Sequence, residues 1–426
     1  MFKFNTKYVV NKITNLKKYQ VSINTIVKKI NLGSLEGTEM MGWVDLIENY
    51  NSHELLLMKK KAIEWQKLNL KYIVVVGIGG SYVGVRAAID MCCGSYNEKT
   101  PEILWVHNIA ASYLLPLLKK IHNSKFAIIV NSKSGTTLEP ALGFRLFREQ
   151  LQKNVGISKL HKYIVAVTDY EKGTLHDFAK HNHITTFGLA NDIGGRFSTL
   201  TAVGMFLMIV KGLNPLKILQ GAKQARKDCE SDNLSRNSAY LYACYRHYLY
   251  NFRHLSIENF IVYEPCLEFV GKMWQQIFGE SEGKEHKALF PALSLFTTDL
   301  HSMGQYFQEG TRNFFETTLI VNKPRYDIVL KIHDDNDKLK YLNNKSIDFV
   351  NRKAFEGTIE AHTKLGKVNN FVLEIDYADE WHFGYLFYWF ATAVTISGYL
   401  LKINPFNQPG VETYKNNMFK LLGRKK

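Results

Sequence analysis

The sequence predicts an α/β chain of two domains built on mostly parallel sheets. Three observations carry this. The chain has 426 residues, a length that usually means two domains. Twice in its first half a continuous apolar run passes into a small-residue loop and then a helix, at Tyr72–Val76 and at Phe126–Val130. Beyond about Gly212 a second α/β region begins. Its strand-like runs are Asn259–Val262, Thr317–Val321, Asp327–Ile332 and Asn370–Ile375, with helical stretches between them.

Composition narrows the class. Apolar residues make up 46%, enough for substantial cores and against general disorder. The net charge of +15 favours anionic partners. The basic residues are dispersed, with small clusters at Lys59-Lys60-Lys61 and Arg424-Lys425-Lys426. No basic region interleaved with aromatics marks a nucleic-acid binder. Five cysteines (Cys92, Cys93, Cys229, Cys244, Cys266) lack metal-ligand spacing, and point to a reducing cytoplasm.

Residues 1–51 read as basic and helical, without the apolar core of a signal peptide. In the first domain, Tyr72–Val76 leads into Gly77-Ile78-Gly79-Gly80-Ser81-Tyr82-Val83-Gly84. The dinucleotide fingerprint would need Gly where Tyr82 stands, and the nucleotide P-loop would need Lys where Val85 stands. What remains is a small-residue loop at a helix start, able to bring backbone N–H groups to an anion. Phe126–Val130 runs into Asn131-Ser132-Lys133-Ser134-Gly135-Thr136-Thr137. A helix start needs one capping hydroxyl, and here four accompany a lysine. This density reads as a phosphate cradle. In one doubly wound sheet, both loops lie at the same carboxyl edge. Next comes Asp192-Ile193-Gly194-Gly195-Arg196-Phe197-Ser198, whose glycines admit backbone to a ligand and whose Arg196 can face a developing oxyanion.

In the second domain, Gln275–Lys284 starts on an aromatic helix and ends in a Gly- and Ser-rich turn. A carboxylate at that junction, Glu280, can be partly buried by the aromatic helix, which suits a proton-transfer base. On spacing alone Glu280, Glu282 and Glu285 read as solvated charges; the other motifs lift Glu280 out of that class. His301 follows, before the Tyr306–Gly310 turn. Phe383–Leu401 has no formal charge and is about long enough to span a bilayer. Its isolation in the chain favours a fully buried core helix. The chain closes on Asn404-Pro405-Phe406-Asn407-Gln408-Pro409-Gly410-Val411-Glu412, then Lys415.

Together Gly77–Gly84, Ser132–Pro140, Gly194–Ser198, the block from Tyr263-Glu264-Pro265 through Lys284, and Asn404–Lys415 resemble the glucose-6-phosphate isomerase (phosphoglucose isomerase) family in its compact bacterial form. One departure is Asn407, where the family usually has Asp. The resemblance implies two sugar-isomerase-type αβα sandwich domains with mostly parallel sheets. Residues 1–55 would be a helical extension, 56–211 and 212–402 the two domains, and 403–426 the C-terminal loop and helix. It implies a cytoplasmic enzyme of glycolysis and gluconeogenesis that interconverts glucose 6-phosphate and fructose 6-phosphate, without metal or cofactor. Glu280 matches the base, His301 and Lys415 the groups that open the sugar ring, and Arg196 the partner of the cis-enediolate. Gly80, Ser81, Ser132, Lys133, Ser134, Thr136 and Thr137 match the phosphate region, and Gln276 and Gln408 the substrate-contacting amides. The resemblance further implies a homodimer whose active sites share His301 across chains, with no nucleic-acid or membrane partner. The alternative is a phosphosugar-binding regulator of the same fold without catalysis.

The residue types suit this chemistry. One carboxylate suffices to move a proton between neighbouring carbons. A permanently charged guanidinium suits the enediolate oxygens. A remote phosphate anchor converts binding energy into positioning at the reacting carbons.

Overall fold

The computed structural model describes residues 1–94 and 101–424; Lys425 and Lys426 of the terminal basic cluster lie outside them. Strand β1 (Phe2–Asn5) opens the chain. Strands β2 (Tyr72–Val76), β3 (Glu102–Val106), β4 (Phe126–Asn131), β5 (Ile164–Asp169) and β6 (Thr185–Leu189) follow. They form an all-parallel sheet in the order β3-β2-β4-β5-β6. Strands β7 (Ile257–Val262), β8 (Phe290–Leu295), β9 (Phe314–Val321) and β10 (Asn370–Ile375) make a second sheet, ordered β1-β10-β9-β7-β8. It is parallel except for β1, which runs antiparallel along β10 with Phe2 opposite Ile375.

Both faces of each sheet are covered, which explains the unbroken apolar strands. Ile73 and Val75 of β2 face one core, and Tyr72, Val74 and Val76 face another under the Leu138–Val155 helix. The Ile73 side continues into Phe260, Val262, Phe371 and Leu373 of the second sheet. One apolar core therefore joins the two halves, and its burial is the main force holding them together.

The Glu380–Leu400 helix runs through the second half, with Phe383–Ala391 buried on every face. It packs on the Pro215–Asp228 and Ser238–Arg253 helices. A Cβ on Gly384 would fall 1.9 Å from the Ile218 carbonyl oxygen, and one on Gly221 would fall 1.8 Å from that of Trp381. Small residues thus let two helix backbones meet, which places the uncharged stretch inside the protein. Among the described residues, no helix is long and apolar enough to cross a membrane.

Three expectations need correction or extension. Residues 2–5, read as helical, alternate Phe-Lys-Phe-Asn and form β1; Phe2 packs 4.6 Å from Tyr385 and Phe4 5.7 Å from Phe371. Asp327–Ile332 is not a ladder strand: Val329 makes only an isolated bridge with Ser346, and Ile328 stays 67% exposed. None of residues 327–332 is buried, so the run has no packed apolar face to hold it against a sheet. The strand starting at Phe314 is longer than the expected Thr317–Val321. It tolerates the buried Glu316 because His362 Nδ1 sits 2.9 Å from its carboxylate and Asn370 Nδ2 donates to it at 2.7 Å.

A buried ion cluster ties the second half together. Arg246 donates from Nε to Glu258 at 2.6 Å and from Nη1 to both oxygens of Glu282 at 2.7 and 2.8 Å. Nη1 also reaches Ser397 Oγ at 3.0 Å, and Thr317 donates to Glu258 at 2.6 Å. The charged side chains of Arg246, Glu258 and Glu282 are at most 1% exposed. Glu282, which reads as a solvated charge in sequence, is thus an internal anchor for the helix carrying Glu280. Replacing Arg246 by Met should strand two buried carboxylates and destabilise the fold by about 3–5 kcal/mol, measured by denaturant unfolding. A loss under ~1 kcal/mol would mean that the cluster holds nothing that packing does not.

Candidate active site

The strand order reverses direction between β2 and β4, since the chain steps to β3 on one side and to β5 on the other. In open α/β sheets the crevice at such a switch point binds ligands. The Gly77–Gly84 loop follows β2 and the Ser132–Thr137 loop follows β4. Asn131 Nδ2 lies 3.4 Å from the Ser81 carbonyl oxygen and binds the two loops to each other.

Close backbone approach explains the glycines. Gly80 lies against the Gly194–Arg196 segment: an added Cβ would fall 1.9 Å from the Gly195 oxygen and 2.8 Å from the Arg196 nitrogen. Gly79 has φ of +57°, and its Cβ would meet Gln276 Nε2 at 3.2 Å. The first loop is therefore pressed between the Arg196 turn and the Glu268–Glu282 helix.

Arg196 is the centre of the crevice. Its side chain is fully buried. It donates from Nε to Ser281 Oγ at 2.7 Å, from Nη1 to Glu280 Oε1 at 3.1 Å, and from Nη2 to the Pro405 carbonyl at 2.5 Å. Burial lowers its pKa while Glu280 opposes the shift. Glu280 also accepts from Gln276 Nε2 at 2.9 Å, and its side chain is 24% exposed. The expected setting of Glu280 is corrected in one respect. Trp274, Ile277 and Phe278 point into the core, so the carboxylate faces a guanidinium and an amide instead of aromatic rings.

The hydroxyl loop is built as a turn with exposed donors. Ser132 Oγ accepts from Gly135 N at 3.1 Å, and Ser134 Oγ from Thr136 N at 3.1 Å. Gly135 has φ of +75°, and a Cβ there would strike Leu175 N at 2.4 Å. Thr137 holds the N-cap position of the Leu138–Val155 helix without a side-chain capping bond. The first N–H groups of that helix are thus open to an anion. Lys133 Nζ donates to the Asn191 carbonyl at 3.1 Å, and burial lowers its pKa.

The remaining expected residues stand apart within one chain. His301 is exposed on the Thr298–His301 turn, which Asp299 braces by accepting from Leu295 N at 2.7 Å. Lys415 lies on the Gly410–Leu421 helix, with Nζ 3.1 Å from Glu412 Oε1. Gln408 is half-buried in the loop before it. Among the described residues, no hydrogen bond or ion pair links His301 or Lys415 to Glu280 or Arg196. Nor is any group of three or more His, Cys, Asp or Glu placed there to hold a metal ion.

Three contributors escape the sequence reading. Ser281 and the Pro405 carbonyl hold Arg196, and Lys284 donates to the Asn404 carbonyl at 2.5 Å. Ser281 and Lys284 lie inside the motif around Glu280, which was the available signal. A backbone carbonyl has no sequence signature.

The family model described as phosphoglucose isomerase matches residues 36–320, more than half of the chain. The chain belongs to the phosphoglucose isomerase family. A glucose-6-phosphate isomerase of Mycoplasmopsis pulmonis is 44% identical over 426 residues, covering 99% of both chains. One from Staphylococcus aureus strain Newman is 46% identical over 96% of this chain and 93% of its own. In fold, the crystal structure of a glucose-6-phosphate isomerase from Chlamydia trachomatis superposes with a TM-score of 0.83 at 21% identity, covering 99% of this chain and 88% of its own. The family resemblance and the α/β fold with parallel sheets thus agree with the sequence expectation.

The packing of Gly80 makes a contrast testable. Gly80→Ala should cost about 1–3 kcal/mol by overpacking the Arg196 turn. Gly195→Ala, whose added Cβ meets nothing within 4 Å, should change stability by less than ~0.5 kcal/mol. Equal thermal unfolding of the two variants would show that the turn yields freely.

Proposed function

We propose that the chain is an aldose–ketose isomerase that interconverts glucose 6-phosphate and fructose 6-phosphate by ring opening and proton transfer through a cis-enediolate. Membership of the family supports the reaction and its sugar phosphate substrate. The observation that carries the mechanism is Glu280, held between Arg196 and Gln276 at the rim of the crevice. No observation favours a non-catalytic phosphosugar-binding regulator.

The phosphate sits at Ser132, Lys133, Ser134, Thr136 and Thr137, with Gly80 and Ser81 beside it. The open N-terminus of the Leu138–Val155 helix supports this reading. Glu280 takes the proton from C2 and returns it to C1. One carboxylate serves both steps because the two carbons are adjacent. The negative charge that builds on the enediolate oxygens is met by Arg196. Its buried guanidinium is already oriented by Ser281 and the Pro405 carbonyl, so little reorganisation is needed as charge develops. Gln276 and Gln408 hold the sugar hydroxyls. Lys415 and the partner chain's copy of His301 open the ring.

The two-chain site is supported by the exposure of His301, which among the described residues makes no hydrogen bond or ion pair to Glu280 or Arg196. Residues 56–211 form one domain and residues 212–402 the other, whose sheet takes β1 from the N-terminal extension as an edge strand. The protein works in a reducing cytoplasm, which suits the buried free thiols of Cys92, Cys229 and Cys244.

Two experiments test the assignment. Glu280→Gln keeps shape and loses the base, so kcat should fall at least ~10²–10⁴-fold with little change in substrate binding. Near-normal turnover on fructose 6-phosphate would remove Glu280 from this role. The shared site is tested by refolding Glu280→Ala chains together with His301→Ala chains, each inactive alone. In a two-fold dimer, each mixed pair then holds one intact site, and random pairing should restore roughly one quarter of wild-type activity. If one chain supplies both residues, mixed dimers confirmed by mass stay silent.

A further inference from the structure

Lys284 has no part in the reaction as described, yet it stands where the two ends of the second half meet. It follows the Glu268–Glu282 helix within a tight turn. That turn holds Glu285, His286 and Ala288 at φ of +53°, +56° and +90°. Side chains other than glycine rarely adopt such angles, and such strain concentrates at functional sites.

The lysine points at the C-terminal loop. Its Nζ donates to the Asn404 carbonyl at 2.5 Å, and Arg196 donates to the next carbonyl, Pro405, at 2.5 Å. Two cations thus grip consecutive peptide oxygens. Asn404 is gripped from the other side as well: Oδ1 accepts from Phe406 N at 2.8 Å, and Nδ2 donates to Glu36 at 3.3 Å. Gly37, at φ of +91°, makes room for it, since a Cβ there would fall 2.3 Å from Asn404 Oδ1. Beyond Phe406, among the described residues, the hydrogen bonds are local to the terminal segment. The Gly410–Leu421 helix, which carries Lys415, has no buried residue. Within one chain, the direction of that helix is therefore set by the loop that leads into it.

We propose that Lys284 is a positioning residue: seated on the Asn404 carbonyl, it fixes the C-terminal loop and so aims Gln408 and Lys415 at the substrate. The inference rests on the isomerase reading above. Lys284 is held there against its own preference. Burial, and then the charge of Arg196, push its pKa down to about 8, with Glu280, Glu282 and Glu36 opposing. A lysine whose folded-state pKa is lowered weakens the fold while charged in it, and this is relieved as pH rises from about 8 towards the ordinary 10.5. Near neutral pH the charge on Lys284 therefore costs stability, as features kept for activity often do.

The test uses Lys284→Met, which keeps the apolar stem, and Lys284→Arg, which keeps the charge and a donor. Lys284→Met should lower kcat/KM on fructose 6-phosphate by on the order of 10–100-fold, the scale of loss from a misplaced group. Its thermal midpoint at neutral pH should equal or exceed that of wild type. Amide exchange over 406–421 should speed up while the core helices keep their protection. Lys284→Arg should recover most of the activity and the protection. Normal turnover in Lys284→Met would overturn the proposal. So would slow turnover with unchanged exchange in the terminal segment, or slow turnover with a lowered thermal midpoint, the mark of general damage. An inactive wild type would instead sink the isomerase reading, and the exchange arm would still report whether Lys284 holds the loop.

Discussion

The site depends on one buried guanidinium. Arg196 comes from the first half of the chain and binds Glu280 and Ser281 at the end of a helix from the second. Its third branch holds the Pro405 carbonyl of the C-terminal segment. A fully buried cation is tolerable only when each face of the fork has an acceptor. A lysine could not fill the position, because a point charge cannot reach three acceptors in one plane. Meeting Arg196's needs brings together the three stretches that carry the chemistry. The same contacts that satisfy the charge thus also align the site.

Around this fork the packing is arranged so that backbone, not side chain, forms the walls. Gly80 touches the Gly195 carbonyl, Gly84 sits under Thr199, and Gly135 lies on Leu175. Each contact excludes even a methyl group. On the far side of the same helix Glu282 is locked by Arg246. Glu280 and Glu282 are two residues apart and face opposite ways, one into the crevice and one into the core. The inward one fixes the helix end, which lets the outward one keep its aim without support from aromatic rings.

Much of this was legible in the sequence, for physical reasons that differ by residue. The unbroken runs at β2 and β4 announced strands buried on both faces. The hydroxyl-rich loop after β4 and the Gly-Gly-Arg turn carried more polar and flexible residues than a structural turn needs. The Asp327–Ile332 run misled because β-branched residues report a local preference, which makes a strand only where one face is buried, and none of these residues is. β8 went unseen because Pro291 interrupts its pattern, which an edge strand tolerates. Glu282 looked solvated because its partner, Arg246, is 36 residues away. The grip on Asn404 and Pro405 was invisible because peptide oxygens look alike in every sequence.

The pairing of β1 with β10 has a consequence for how the protein is made. Strands β2 to β6 all lie between residues 72 and 189, so the first sheet can close once that stretch has left the ribosome. The second sheet cannot. Its edge strand, residues 2–5, is synthesised long before residues 370–375, and until those emerge it has no neighbour. Domains tend to fold as units during translation. Here the first half can stand as a finished platform, while the second sheet closes from segments on either side of it in sequence. Residues 404–405, which complete the hold on Arg196, emerge later still. The crevice is therefore finished only after both sheets have been made.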